Sequence, residues 1–168
     1  MAASQARLFT ARQAIDAGMT YPQVRRRRER GCWVAVAGDA LALSTLRPDP
    51  WVRAQAAAVT WPDAVVCLAS AAGVHRLPVP QCENVQVIVP NRRASRGRLI
   101  THQLPLEQRD VTRFGLAWVT TRSRTIFDCL GRLPDAESEA LMSWVITREL
   151  MPRDDLERAV AARRRWWG

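Results

Sequence analysis

Residues 20–43, TYPQVRRRRERGCWVAVAGDALAL, carry the pattern that decides the fold. Arg25 to Arg28 stand in a row and Arg30 follows closely. Thr20 is a good N-cap, because its hydroxyl can take up one of the free N–H groups of a first helical turn. Pro22 suits that turn. Gly31 marks the stop, since glycine enters the left-handed conformation that ends helices without a Cβ penalty. The spacing therefore predicts a short basic helix. Two apolar runs follow, Trp33–Val36 and Ala40–Leu43, with Gly38-Asp39 between them, which reads as a hairpin. On the N-terminal side, Phe9–Ala17 reads as another short helix. Thr10 caps it, Ala14, Ile15 and Ala17 supply apolar positions, and Gly18 ends it.

Helix, turn, basic helix and hairpin, in that order, is the sequence pattern of a winged helix-turn-helix, expected over residues 1–46. Such a module binds double-stranded DNA. Helical geometry divides the arginines, because successive residues are about 100° apart. With Val24 pointing inward, Gln23, Arg26 and Arg30 face outward and Arg25 and Arg27 lie on the flanks. Arg28 falls near the core side and must reach past it to water. The expected DNA-binding residues are therefore Gln23, Arg25, Arg26, Arg27 and Arg30, with Gln23 as a base reader and Arg25 and Arg27 on phosphates. The hairpin tip, Ala37-Gly38-Asp39, carries an acid where a phosphate-gripping wing wants a base.

Leu46–Pro50 breaks the pattern and reads as a linker. Beyond it, residues 47–168 read as a small α/β domain with C-terminal helices, so the expected class is α+β. An alanine-rich helix is expected from about Trp51 to Thr60, and Ala64–Leu68 is a buried strand or helix entry. Ser70–Arg76 should be a short helix, Val85–Val89 a β-branched strand, and Leu99–His102 its neighbour. Leu116–Val119 is a further strand candidate. Helices are expected over Thr121–Leu130, Asp135–Glu149 and Pro152–Arg165.

The formal net charge is +9, which favours a polyanionic partner. Every basic residue is arginine; the chain has no lysine. That excludes a standard P-loop, a Schiff-base enzyme and a PD-(D/E)xK nuclease centre. Pro62-Asp63 opens such a nuclease motif, but Val65-Val66-Cys67 follows where the acid and lysine belong. Cys32, Cys67, Cys82 and Cys129 include no CxxC pair, and His75 and His102 complete no zinc pattern, so no metal, cofactor or catalytic centre is expected. Reduced thiols and the lack of a secretory signal suit a cytoplasmic protein. No apolar run approaches the roughly 18 residues of a membrane span.

Arg92, Arg93, Arg96 and Arg98 form a second basic cluster, either a solvated loop or a further nucleic-acid contact. Arg124 and Asp128, four apart on an expected helix, should pair as a structural clasp worth about 0.3–0.5 kcal/mol if exposed. His75 lies near Ser70 and Cys67 in sequence, but no orienting acid is evident, so a structural histidine is expected. Trp51, Trp61, Trp118 and Trp144 are expected in packing.

The segments also resemble a known family, the AbiEi-type antitoxins of type IV toxin–antitoxin systems. The likeness lies in FTARQAIDAG at 9–18, the basic helix, Trp33 and the strand pair. Ser70–Leu77, SAAGVHRL, is similar to the family's "SAAxLHGL" segment. Val87–Pro90 with the arginines after it is similar to "VTVPRRR", and Val119–Asp128, VTTRSRTIFD, to "VTTPARTLLD". The chain departs from the pattern at Arg28, at the acidic tip and at Arg122. The resemblance implies a winged-helix autorepressor with a nucleotidyltransferase-like toxin as partner. Many relatives continue into a domain similar to very-short-patch-repair endonucleases. The alternative is therefore a protein-interaction module, the front of such a fused protein, with weakened DNA binding.

Overall fold

Thr10 Oγ1 accepts the Gln13 N–H at 3.1 Å, and Gln13 Oε1 accepts the Thr10 N–H at 2.9 Å. This reciprocal cap satisfies two of the backbone donors that a helix start leaves free. It opens α1 (Ala11–Asp16). The two residues before α1, expected as helix, form strand β1 (Phe9–Thr10) instead, because they pair antiparallel with Leu41 and Ala40. The structure, a computed structural model, describes residues 7–152, 154–158 and 161.

The chain then turns into α2 (Tyr21–Glu29), which Gly31 leaves at φ +69°. Nothing lies within 4 Å of where a Gly31 Cβ would sit, so backbone conformation rather than space selects glycine there. Strands β2 (Trp33–Ala37) and β3 (Ala40–Leu43) form the expected hairpin, with a register shift between Ala35 and Ala37. The three-stranded sheet has the order β1-β3-β2. Ala14, Val24, Trp33 and Leu41 close a small core beneath α1 and α2. The Phe9 ring meets Trp33 edge-on at 4.6 Å, a favoured aromatic geometry.

The expected linker ends in a helix cap. Asp49 Oδ1 accepts the Val52 N–H at 2.7 Å and Pro50 begins α3 (Pro50–Thr60). Ala54, Ala56, Ala57 and Ala58 are all buried. Their small side chains let the α3 backbone lie close to its neighbours. One apolar core joins α3 to Val36, Ala37 and Ala40 of the hairpin and to Val66, Val87 and Val119 of a second sheet. That core runs across Leu46.

The second sheet contains β4 (Val65–Val66), β5 (Val85–Ile88), β6 (Leu99–His102), β7 (Val111–Phe114) and β8 (Ala117–Thr120). Its order is β6-β5-β4-β8-β7. β4 runs parallel to β8 and β5 parallel to β6; β4–β5 and β7–β8 are antiparallel. Strand β7 escapes sequence reading because it is an edge strand, mostly half-buried, with no clean alternation. Gln55, buried on α3, holds the β7–β8 turn. Its Nε2 donates to Phe114 O at 2.8 Å and its Oε1 accepts the Leu116 N–H at 2.7 Å.

Helices α4 (Leu68–Val74), α5 (Arg122–Leu130) and α6 (Asp135–Thr147) pack through a second core that includes Leu77, Ile126, Leu141 and Val145. Residues 154–158 and 161 are helical. The rest of the expected Pro152–Arg165 helix lies outside the described residues. The molecule is thus mixed α+β. Among the described residues, no helix is long and apolar enough to cross a membrane.

Candidate nucleic-acid interface

Within α2 only Val24 is buried; the other eight residues are exposed. Val24 packs the helix on Ala14, Trp33 and Leu41, and the side of α2 away from them is open to a partner. The Thr20 N–H donates to Gln23 Oε1 at 2.8 Å. Gln23 therefore serves the helix cap, and only its Nε2 group remains free to reach a base edge. Arg26 shares an open groove of about 540 Å³ with Tyr21, Pro22, Gln23, Arg25 and Glu29. Arg25 Nε meets Glu29 Oε1 at 3.0 Å, with both side chains more than half exposed. Exposed pairs of this kind contribute about 0–1 kcal/mol, so a phosphate can displace Glu29.

Arg27 lies over the Trp33 ring, 5.3 Å from its centre. That contact fixes the guanidinium on the helix flank. Arg30 is the C-cap residue and is exposed. Arg28 is also exposed, reaching a separate cleft bounded by α1, the hairpin and α3. The sequence geometry had it leaving the core side, and it does.

The hairpin tip does not project freely. Asp39 Oδ1 meets an Arg96 guanidinium nitrogen at 2.8 Å, and the Asp39 N–H donates to Thr60 Oγ1 at 3.0 Å. A Cβ on Gly38 would stand 2.6 Å from Thr60 and 2.8 Å from Leu99. The tip is therefore docked on the end of α3 and on the 91–98 segment. This explains its acid: Asp39 answers Arg96 within the same chain.

The second basic cluster is largely answered too. Arg93 makes a two-pronged pair with Asp63, at 2.8 and 2.6 Å, and lies 5.7 Å from the centre of the Trp61 ring. That pair holds the Asp63 carboxyl below its ordinary range. Arg98 meets Glu83 at 3.2 Å. Only Arg92 of this cluster, an exposed residue, has no ion pair among the described residues. The structure thus separates the two clusters: α2 keeps its charge available, whereas the 91–98 segment spends most of its charge holding the fold.

Arg124 does more than the expected clasp. Its Nε meets both Asp128 oxygens at 2.9 Å, one terminal nitrogen meets Asp110 at 2.8 Å, and the other donates to Pro105 O at 2.8 Å. One side chain thereby ties α5 to the segment that leads into β7. Trp118 and Trp51 are exposed rather than packed, contrary to expectation, while Trp61 and Trp144 pack against the cores. Arg113 lies over Trp118 and Arg148 over Trp144. These tryptophans sit on separate elements and form no common stacking platform.

His75 is structural. Its Nε2 donates to Thr120 O at 2.7 Å, and its ring stands edge-on to Phe114. Ser70 Oγ is engaged with Gln86 N–H and Asn84 O. Burial pushes the Cys67 thiol up and the Cys129 thiol up to about 12, which leaves both inert as nucleophiles. Burial also lowers the pKa of His75, opposed by the bond to Thr120 O, and lowers that of His102. The unfolded chain then binds protons that the folded chain refuses. Stability contributed by neutral His75 is present above about pH 6.5 and is lost as pH falls through the lower folded value. The melting temperature should drop between pH 7 and pH 5, and His75→Gln should shallow that drop. A drop of equal depth in the variant would show that His75 is not its source.

Among the described residues, no group of three His, Cys, Asp or Glu side chains comes together to hold a metal ion. No protein-family model matches the chain, and no curated protein matches it.

Proposed function

We propose that the chain is a non-catalytic DNA-binding regulator of winged helix-turn-helix type, with α2 as the helix that enters the major groove. The observation that carries this is α2 itself. Five arginines and one glutamate occupy a helix and its cap in which only Val24 is buried, in a chain of formal net charge +9. The packing of α1 against α2 through Ala14 and Val24 supports the same reading. Arg26 and Arg30 face the duplex, Arg25 and Arg27 take flanking phosphates, and Gln23 contributes its amide N–H₂. The resemblance to AbiEi-type antitoxins extends this to a cytoplasmic autorepressor of a toxin–antitoxin operon, with a nucleotidyltransferase-like toxin as partner. Titrating the protein into a labelled duplex from its own upstream region at low salt should show a saturable shift. Absence of any shift there contradicts the proposal.

A second reading has its own support. The hairpin tip is docked on α3, so DNA contact would rest on α2 without a free wing. In that case the chain is a protein-interaction module from a nuclease-fused relative. Capture of a toxin by a protein that leaves duplex unbound distinguishes the two.

A further inference from the structure

On the side of α2 away from Arg26, a cleft of about 450 Å³ opens between α1, the hairpin and the end of α3. Its volume lies within the roughly 300–1,000 Å³ of small-molecule sites. Three arginines line it: Arg12 from α1, Arg28 from α2 and Arg96 from the 91–98 segment. Among the described residues a single carboxylate lines it, Asp39, and that one is paired to Arg96. Arg12 and Arg28 have no ion pair among the described residues. The walls between them are apolar, from Ala11, Ala35, Leu41 and Val59. The Thr60 hydroxyl is engaged with Ala37 O, Ala56 O and the Asp39 N–H. Thr10 also lines it, its hydroxyl accepting the Gln13 N–H. Apart from Asp39, the charged groups that line the cleft are therefore planar guanidinium donors.

We propose that this cleft is a phosphate-binding site, separate from the outward face of α2. Guanidinium groups suit phosphate because each presents parallel N–H donors that match two of its oxygens. Apolar walls strengthen such pairs by keeping water off one side. Arg28, misplaced for a helix that only faces a groove, has its use here. Asp39 acts as the internal competitor, holding Arg96 until an anion arrives. The phosphate can be a free ion or ester, or a backbone phosphate of a duplex on α2; the duplex source rests on the DNA-binding proposal and the free source does not.

The test uses the full chain, two variants and two probes. Inorganic phosphate, against chloride at matched ionic strength, is titrated while the amide resonances of Ala11 and Ala35 are followed. The wild type should saturate, and Arg12→Gln/Arg28→Gln should weaken binding by about tenfold or more. Asp39→Asn, which releases Arg96, should tighten it, a gain that misfolding cannot mimic. If phosphate alone does not saturate the site, the duplex arm decides. There, Arg12→Gln/Arg28→Gln should lower the salt slope of duplex binding by about 1–2, which assigns the site to a backbone phosphate. Phosphate binding that neither variant alters overturns the proposal. So does a wild type that ignores phosphate while the double variant, folded by its melting curve, keeps the full salt slope or the protein binds no duplex.

Discussion

On the DNA-binding proposal, replacing Arg26 and Arg30 together with alanine should strongly weaken duplex binding at about 0.15 M salt and leave the fold intact. Both side chains are exposed and have no ion pair among the described residues. Their removal takes no buried contact from the folded state, so stability should stay within about 1 kcal/mol; losing Arg30 at the helix C-terminus accounts for most of that. The effect on binding is larger, because each contact to a base or phosphate contributes about 1–3 kcal/mol. Losing two weakens affinity roughly 30- to 10⁴-fold. Fluorescence anisotropy with a labelled duplex measures this, with Arg109→Ala as the control. Arg109 is an exposed arginine beside Glu107, just before β7. Equal affinity of the double variant and the control would remove α2 from the interface.

The second large effect falls on stability. Arg124→Met should destabilise the chain by about 3–5 kcal/mol at pH 7. Asp128 is only 8% exposed, and Arg124 is the partner that meets both of its oxygens. The substitution also frees Asp110 and Pro105 O, both of which water can reach. Burial already pushes the Asp128 carboxyl up, against the pull of Arg124. Without Arg124 that carboxyl can escape the cost by taking up a proton. The destabilisation should therefore be smaller at pH 5 than at pH 7. Urea unfolding at both values checks magnitude and trend. A loss below about 1 kcal/mol would place this network with exposed pairs of little worth.

Local signals were legible wherever one residue decides one piece of backbone. Thr10, Thr20 and Gly31 each mark a helix end in sequence, and each stands at one in the structure. The hairpin and strand β5 could be read for the same reason: their β-branched and apolar runs have clear turn signals around them. Pairings between distant segments could not be read. Phe9–Thr10 is a strand only because Leu41 and Ala40 lie beside it. Strand β7 exists because β8 offers an edge. The inward position of Val24 on α2 followed from 100° geometry, and the other eight residues of the helix are exposed. The neighbours of α2 in space were not legible. That Asp39 answers Arg96, 57 positions on, or that Arg12, Arg28 and Arg96 line one cleft, needs three dimensions.

That difference bears on the charge of the molecule. Counting arginines treats the two basic clusters alike. In the fold, Arg93, Arg96 and Arg98 meet carboxylates of other segments, whereas α2 offers only Glu29 as competitor. Of the two clusters, α2 therefore keeps the more available positive charge.

The central claim, that α2 binds duplex DNA through its arginines, is tested most directly by the salt dependence of that binding. With about five phosphates neutralised, log K should fall linearly with log salt concentration at a slope of about −4 to −5. Removing Arg26 and Arg30 should bring the residual slope at low salt down by about two. A shift insensitive to salt, or no binding of duplex even at low salt, would contradict the account.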